Sequence, residues 1–157
     1  MIRPWMVVGG VTLLVALLGS ITPPGGAKWF QRLQRPSWLT FEKLIPVIWT
    51  VVFVCGAVSA TLVWQQAPGE PATWLLMAGY VLLELITVAY SPVMLITRKL
   101  RVGMVIGATG FVVAIVLALS VLPVSGQAAA FLLPYLIWSP IGTYTTWVMA
   151  QLNPSEA

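Results

Sequence analysis

Apolar residues run almost unbroken through five stretches of the 157-residue chain, roughly residues 5–21, 44–64, 74–97, 102–122 and 128–152, and the charged residues gather between them. Each stretch is close to the ~20 residues with which an α-helix crosses a ~30 Å hydrocarbon core. The pattern predicts an all-α fold, an integral membrane bundle of five transmembrane helices forming one domain over residues 1–157. Alternating segments of roughly ten residues, the signature of a membrane barrel, are absent.

The second, third and fourth connections, about 65–73, 98–101 and 123–127, are short, so neighbouring helices are expected to pack antiparallel. The first connection, 22–43, is long and sets Trp29, Phe30, Trp38 and Phe41 among Lys28, Arg32, Arg35 and Lys43. Two readings stand for it: a lid over the bundle, or an interfacial segment with its aromatic rings dipped among headgroups. Pro46 suits a helix start and Pro123 a stop. Pro92, Pro134 and Pro140 fall inside spans, where each frees a carbonyl one turn earlier and bends the helix toward the bundle. Gly56 with Ala60, and Gly103 with Gly107, form ridges of small residues, read either as packing within the bundle or as a homodimer seam.

Composition agrees with this pattern, since 59% of the residues are hydrophobic and 8% charged, against about a quarter charged in soluble domains. Seven of the eight basic residues (all but Arg3) lie in the first and third connections or just beyond, and the second and fourth connections carry none. The positive-inside bias places the N-terminus outside and the C-terminus and long first loop in the cytoplasm. Bases spread over short loops without a basic domain do not suggest nucleic acid. A cleaved signal peptide over residues 1–20 is disfavoured, because no A-x-A site follows the apolar run before Pro23-Pro24-Gly25-Gly26. Cys55 is the single cysteine, which precludes an internal disulfide.

Three helical faces carry the candidate chemistry. Trp49, Phe53, Gly56 and Ala60 fall within about 60° of one another at 100° per residue, as do Tyr80, Glu84, Thr87 and Ser91, and Phe131, Tyr135, Trp138, Gly142 and Thr146 make a similar stripe. Two aromatic stripes facing a polar one would wall a cavity of the composition usual for small-molecule sites. Glu84 costs about 2.5 to 3.5 kcal/mol to insert near a span centre, which the Leu, Ile and Val residues of its span offset. No Lys, Arg or His lies inside any span, so Glu84 is expected in its neutral form, either serving a ligand or bridging two helices. Trp5, Trp64, Trp74 and Trp147 lie near span ends and read as belt anchors. A Walker-type loop, a Cys/His metal cluster and any histidine base are missing, so hydrolase and metalloenzyme readings are poor.

Taken in order, Trp29-Phe30, Arg35-Pro36-Ser37-Trp38, Ile48-Trp49 with Phe53 and Gly56-Ala57, and Leu133-Pro134-Tyr135-Leu136-Ile137-Trp138-Ser139 running to Leu152-Asn153 resemble the tryptophan-rich sensory protein, or translocator protein (TspO/MBR), family. The resemblance covers nearly the whole chain, and the R-P-S-W segment and the P-Y-x-x-W of the fifth span are its most specific parts. It implies a five-helix bundle, a homodimer, and a pocket opening toward the first loop that binds porphyrins such as protoporphyrin IX and haem, with cholesterol and synthetic drugs in animal members. The family's pocket tryptophans correspond to Trp49 and Trp138. Some bacterial members are reported to promote light-dependent porphyrin breakdown that depends on those residues. Where the family's third span commonly carries a Gln and an Asn followed by Trp-Ser, this chain has Leu83, Thr87 and Tyr90-Ser91, and Gly142 and Thr145-Thr146 replace an Ala and a Leu-Asn.

The functional expectation is a tetrapyrrole-binding membrane sensor or receptor requiring no cofactor and no metal ion, in which porphyrin or haem is the ligand. Trp29, Phe30, Trp38, Trp49, Phe53, Tyr80, Glu84, Thr87, Tyr135, Trp138 and Gly142 are the candidate binding residues. Arg32, Arg35 and Lys43 are candidates for meeting the propionates at the pocket mouth. The alternatives are a photo-oxidative porphyrin-degrading enzyme using Trp49 and Trp138, and a porphyrin or small-molecule transporter with Glu84 as a proton-linked group.

Overall fold

The structure, a computed structural model, describes residues 3–20, 23 and 25–157. The expected end of the first apolar stretch at Ile21, the start of the long connection at Thr22, and Pro24 lie outside the described residues. Those residues form seven α-helices and two 3-10 turns.

Helix α1 covers Pro4–Gly19 and begins with Pro4, whose missing N–H would have had no helical partner there. A short α2, Gly26–Arg32, lies within the first connection and starts behind Gly25, whose φ of 80° favours glycine. A 3-10 turn at Glu42–Leu44 leads into α3, Ile45–Gln66, with Pro46 in its first turn. Helix α4, Pro71–Thr97, carries Pro92 inside it and ends where Arg98 turns left-handed at φ 52°. Lys99 is extended and α5, Leu100–Val121, follows immediately.

The fifth apolar stretch departs from expectation: it is two helices, α6 at Gly126–Ala130 and α7 at Leu133–Leu152. Pro134 therefore sits in the first turn of a new helix, where it costs no hydrogen bond. Ser125 caps α6 by accepting the Ala128 N–H at 3.1 Å. Pro140 is the proline that lies inside α7.

The long helices close a ring. α1 packs on α3 and α4, α4 on α5, α5 on α7, and α7 together with α6 on α3, while α3 and α4 also touch. Short connections make the sequence neighbours antiparallel, as expected. Glycines permit the closest approaches: a Cβ on Gly103 would strike the Met94 thioether at 2.7 Å, and one on Gly110 the Tyr135 hydroxyl at 2.6 Å. Gly107 in turn abuts Thr143. The Gly103/Gly107 ridge is thus used within the bundle, against α4 and α7.

Two apolar clusters hold the helices together. The larger unites Val52, Val63, Tyr80, Leu83, Leu117 and Tyr135 with their neighbours, and the smaller joins Leu33 of the first connection to Met94, Leu100, Met149 and Ala150. The outer faces are also apolar, with Leu14, Leu75, Val105 and Leu119 each 65–75% exposed. Contiguous apolar surface of this extent is rare on soluble monomers. α3 with its preceding turn, α4 and α5 are long and apolar enough to cross a membrane, and α1 is a shorter apolar helix. The protein is an integral membrane protein, and its surroundings are a lipid bilayer.

Candidate functional site

Inside the ring, the faces of α3, α4 and α7 that the helical period singled out do converge. Phe53 and Gly56 from α3, Tyr80, Glu84 and Thr87 from α4, Phe131 between α6 and α7, and Tyr135 in the first turn of α7 line one hollow. Its volume is about 30 Å³, room for roughly one water molecule. Gly56 borders open space, since a Cβ there would meet nothing within 4 Å.

The polar groups around the hollow are tied down by hydroxyl chemistry. Thr12 of α1 donates to Glu84 Oε1 at 2.5 Å, so the carboxyl bridges two helices through a hydroxyl, as a buried polar group requires. Ser59, fully buried, donates to the Ala128 carbonyl at 2.7 Å, which leaves its oxygen to accept from Tyr80 at 2.5 Å. Thr87 donates to the Leu83 carbonyl at 2.7 Å, and its oxygen lies 3.0 Å from the Tyr135 hydroxyl. The stripe on α4 leaves the interior beyond Thr87, because Ser91 is exposed.

Trp49 flanks the hollow through the rings that line it, edge-on to Tyr135 at 6.1 Å and tilted on Phe53 at 6.3 Å. Trp138 packs against the same apolar cluster and meets Phe41 edge-on at 6.3 Å. Its indole N–H is buried without a hydrogen-bond partner, alone in this among the buried side-chain polar atoms of the described residues. A buried, unpaired donor costs about 1–3 kcal/mol, which a ligand acceptor or a water would recover. Trp38 stacks on Tyr144 at 6.2 Å and tilts against Phe41 at 6.3 Å, so this part of the first connection folds over α7. Gly142 lies outside the lining of the hollow, with open space where its Cβ would be.

Trp29 and Phe30 lie elsewhere, against the smaller cluster around Leu33 and Met149. The Trp29 indole donates to Glu156 Oε2 at 2.8 Å. Asn153 completes a two-way link to Gln34, accepting its backbone N–H at 2.9 Å and donating to its carbonyl at 3.0 Å. The first connection is thereby stapled to the tail that follows α7. Arg35 is committed within the same segment: it pairs with Glu42 at 2.9 Å, donates to the Leu33 carbonyl at 2.9 Å and covers the Phe30 ring at 5.1 Å. Arg32 and Lys43 are exposed.

A family model described as TspO/MBR family matches residues 7–152. The chain belongs to the TspO/MBR family. Among its relatives in that family, it is 26% identical over 137 residues to the tryptophan-rich protein TspO of Bacillus cereus, covering 87% of this chain and 88% of that one. It is 23% identical to protein CrtK of Rhodobacter capsulatus, with 88% and 85% covered, and 27% identical to the human translocator protein, with 94% and 92% covered. The TspO/MBR match spans α3 to α7 in full, and with them every residue that lines the hollow.

Several contributors escaped the sequence reading. Val52, Leu83 and Leu132 line the hollow as well, but as apolar residues among many they carry no signal of their own. Thr12 and Ser59 hold Glu84 and Tyr80 in place, and nothing local marks either hydroxyl as the partner of a residue on another helix.

Proposed function

We propose that this protein is a tetrapyrrole-binding membrane sensor or receptor whose helices make five membrane passages, α6 and α7 together forming the fifth. The N-terminus lies outside, and the C-terminus and first connection lie in the cytoplasm with the basic residues. The reading needs no resident cofactor or metal ion; porphyrin or haem is the ligand. It also includes a homodimer, whose seam lies away from Gly103 and Gly107, since both are packed within one chain.

The observation that carries the reading is the unpaired, buried Trp138 N–H beneath Phe41, in one apolar cluster with Trp49 and the rings around the hollow. Small-molecule pockets typically enclose about 300–1,000 Å³, so the macrocycle enters only when Trp38 and Phe41 lift from α7. Flat aromatic ligands then exchange one set of ring contacts for another, and Arg32 and Lys43 are free to meet the propionates. No histidine is present to ligate iron; metal-free porphyrin therefore binds about as well as haem.

Quenching of tryptophan fluorescence by protoporphyrin IX tests this. Saturable quenching is expected in the wild type, and Trp138→Phe, which loses the N–H and part of the ring contact, weakens binding by about three- to tenfold. Unchanged affinity in both Trp49→Phe and Trp138→Phe would remove the basis of the proposal.

A second reading is light-dependent porphyrin breakdown, favoured by two oxidisable indoles in the cluster a porphyrin would join. In it an indole donates an electron to the photoexcited ring, dioxygen adds across a methine bridge of the reduced ring and opens it with both oxygen atoms retained, and the electron returns to the indole radical cation. Illumination with porphyrin and oxygen separates the two: breakdown that is as fast in a Trp138→Phe variant that still binds speaks for binding alone.

A further inference from the structure

We propose that the groove between α5 and α7 at their tail-side ends is a binding site for an anionic phospholipid. Arg101, Met104 and Val105 form one wall, spaced to share a face of α5, Trp147, Ala150 and Gln151 form the other on α7, and Pro154 and Ala157 of the tail line its end. The groove encloses about 410 Å³, far more than the hollow inside the ring and within the range of ligand sites, roughly 300–1,000 Å³.

Its chemistry is graded along the helices. Arg101 lies at the second position of α5, next to Arg98 and Lys99, and Gln151 faces it near the end of α7. Val105, 66% exposed, lies one turn deeper in the apolar run, and Trp147, 44% exposed, lies one turn deeper on α7. Buried Ala150 and half-buried Met104 floor the groove. A cation and an amide at headgroup level above an apolar trough match a phosphate with an acyl chain beneath it, and basic pockets between membrane helices are known to take such headgroups.

Charge complementarity decides the occupant. Arg101 is the one charged side chain that lines the groove; Glu42 pairs with Arg35, Glu84 accepts from Thr12, Glu70 precedes α4, and Glu156, in the turn beside Pro154 and Ala157, accepts from Trp29. Arg101 makes no ion pair with any of them, and its guanidinium presents the fork that fits a phosphate diester.

The test is retention of lipid by the purified full chain from an equimolar mixture of phosphatidylglycerol and phosphatidylcholine, read by native mass spectrometry, with quenching by bromine-labelled chains of each lipid in bilayers. Preferential retention of phosphatidylglycerol is expected, falling at least fivefold in Arg101→Gln, partly kept in Arg101→Lys, and unchanged in Lys99→Gln. Brominated phosphatidylglycerol should quench more than brominated phosphatidylcholine, and Trp147→Phe should abolish that excess. Equal retention of the two lipids, or an Arg101→Gln variant indistinguishable from wild type, overturns the proposal. So does quenching of Trp147 by neither lipid in a preparation that crosslinks through Val105, which would give the groove to a second copy of the chain.

Discussion

Thr12 and Glu84 stand 72 residues apart in sequence and 2.5 Å apart in space, and their hydrogen bond joins α1 to α4 beside the hollow. Interhelical hydrogen bonds in membranes average about 0.6 kcal/mol and reach about 1.7. Thr12→Val should cost stability in that range by equilibrium unfolding in detergent or bilayer. Glu84→Gln keeps the shape and an oxygen to accept from Thr12, so it should unfold like the wild type. If Glu84→Gln also binds protoporphyrin IX unchanged, the residue's role is to bridge helices.

Ser59 is fully buried and satisfies both the Ala128 carbonyl and the Tyr80 hydroxyl. Ser59→Ala leaves both without that partner and should destabilise the protein by about 1–3 kcal/mol. Tyr80→Phe with Ser59→Ala should cost less than the two single changes summed, which a double-mutant cycle measures.

Two glycines should respond oppositely to alanine. A Cβ on Gly19 would lie 2.6 Å from the Val88 Cβ, a branched side chain with no room to swing aside, so Gly19→Ala should cost about 1–3 kcal/mol by overpacking. Gly56→Ala meets no atom and should stabilise α3 by about 0.5–1 kcal/mol. Porphyrin quenching should weaken in the same Gly56→Ala variant, because the methyl group occupies the hollow. Thermal unfolding and ligand titration on the pair check both directions.

The staple between the first connection and the tail should govern how often the connection opens. Asn153→Ala removes both links to Gln34, and Glu156→Gln weakens the acceptor for Trp29. Hydrogen exchange at residues 29–42 should accelerate in Asn153→Ala, by about five- to tenfold for a loss of 1 to 1.4 kcal/mol. Porphyrin association should quicken with it. Exchange unchanged from wild type would mean that Arg35, through Glu42 and Leu33, holds the segment by itself.

The helix start at Pro46 and stop at Pro123 follow from rules acting over a few residues, and the apolar stretches follow from the cost of bare backbone in lipid. These features were therefore legible, and so were the stripes Phe53/Gly56 and Tyr80/Glu84/Thr87, because the helical period fixes which side chains share a face; Phe131 joins Tyr135 at the hollow from outside α7. Pro134 shows the limit of such rules. A proline within an apolar run is compatible with a bend or with a fresh start, and here α6 ends at Ala130 and α7 begins at Leu133, with Ser59 of α3 donating to the Ala128 carbonyl beside the break.

The chain's own order of residues determined that it is helical, that it lives in lipid, and which faces carry aromatic and hydroxyl groups, since hydrophobicity and helical periodicity are local properties. Only the tertiary structure decided that Trp29 and Phe30 belong to the tail and not to the hollow, that Arg35 is spent on Glu42, that Thr12 meets Glu84, and that Trp138 is left with a buried N–H. Those outcomes rest on which distant groups reach one another once the ring closes, and a linear pattern carries no information on that geometry.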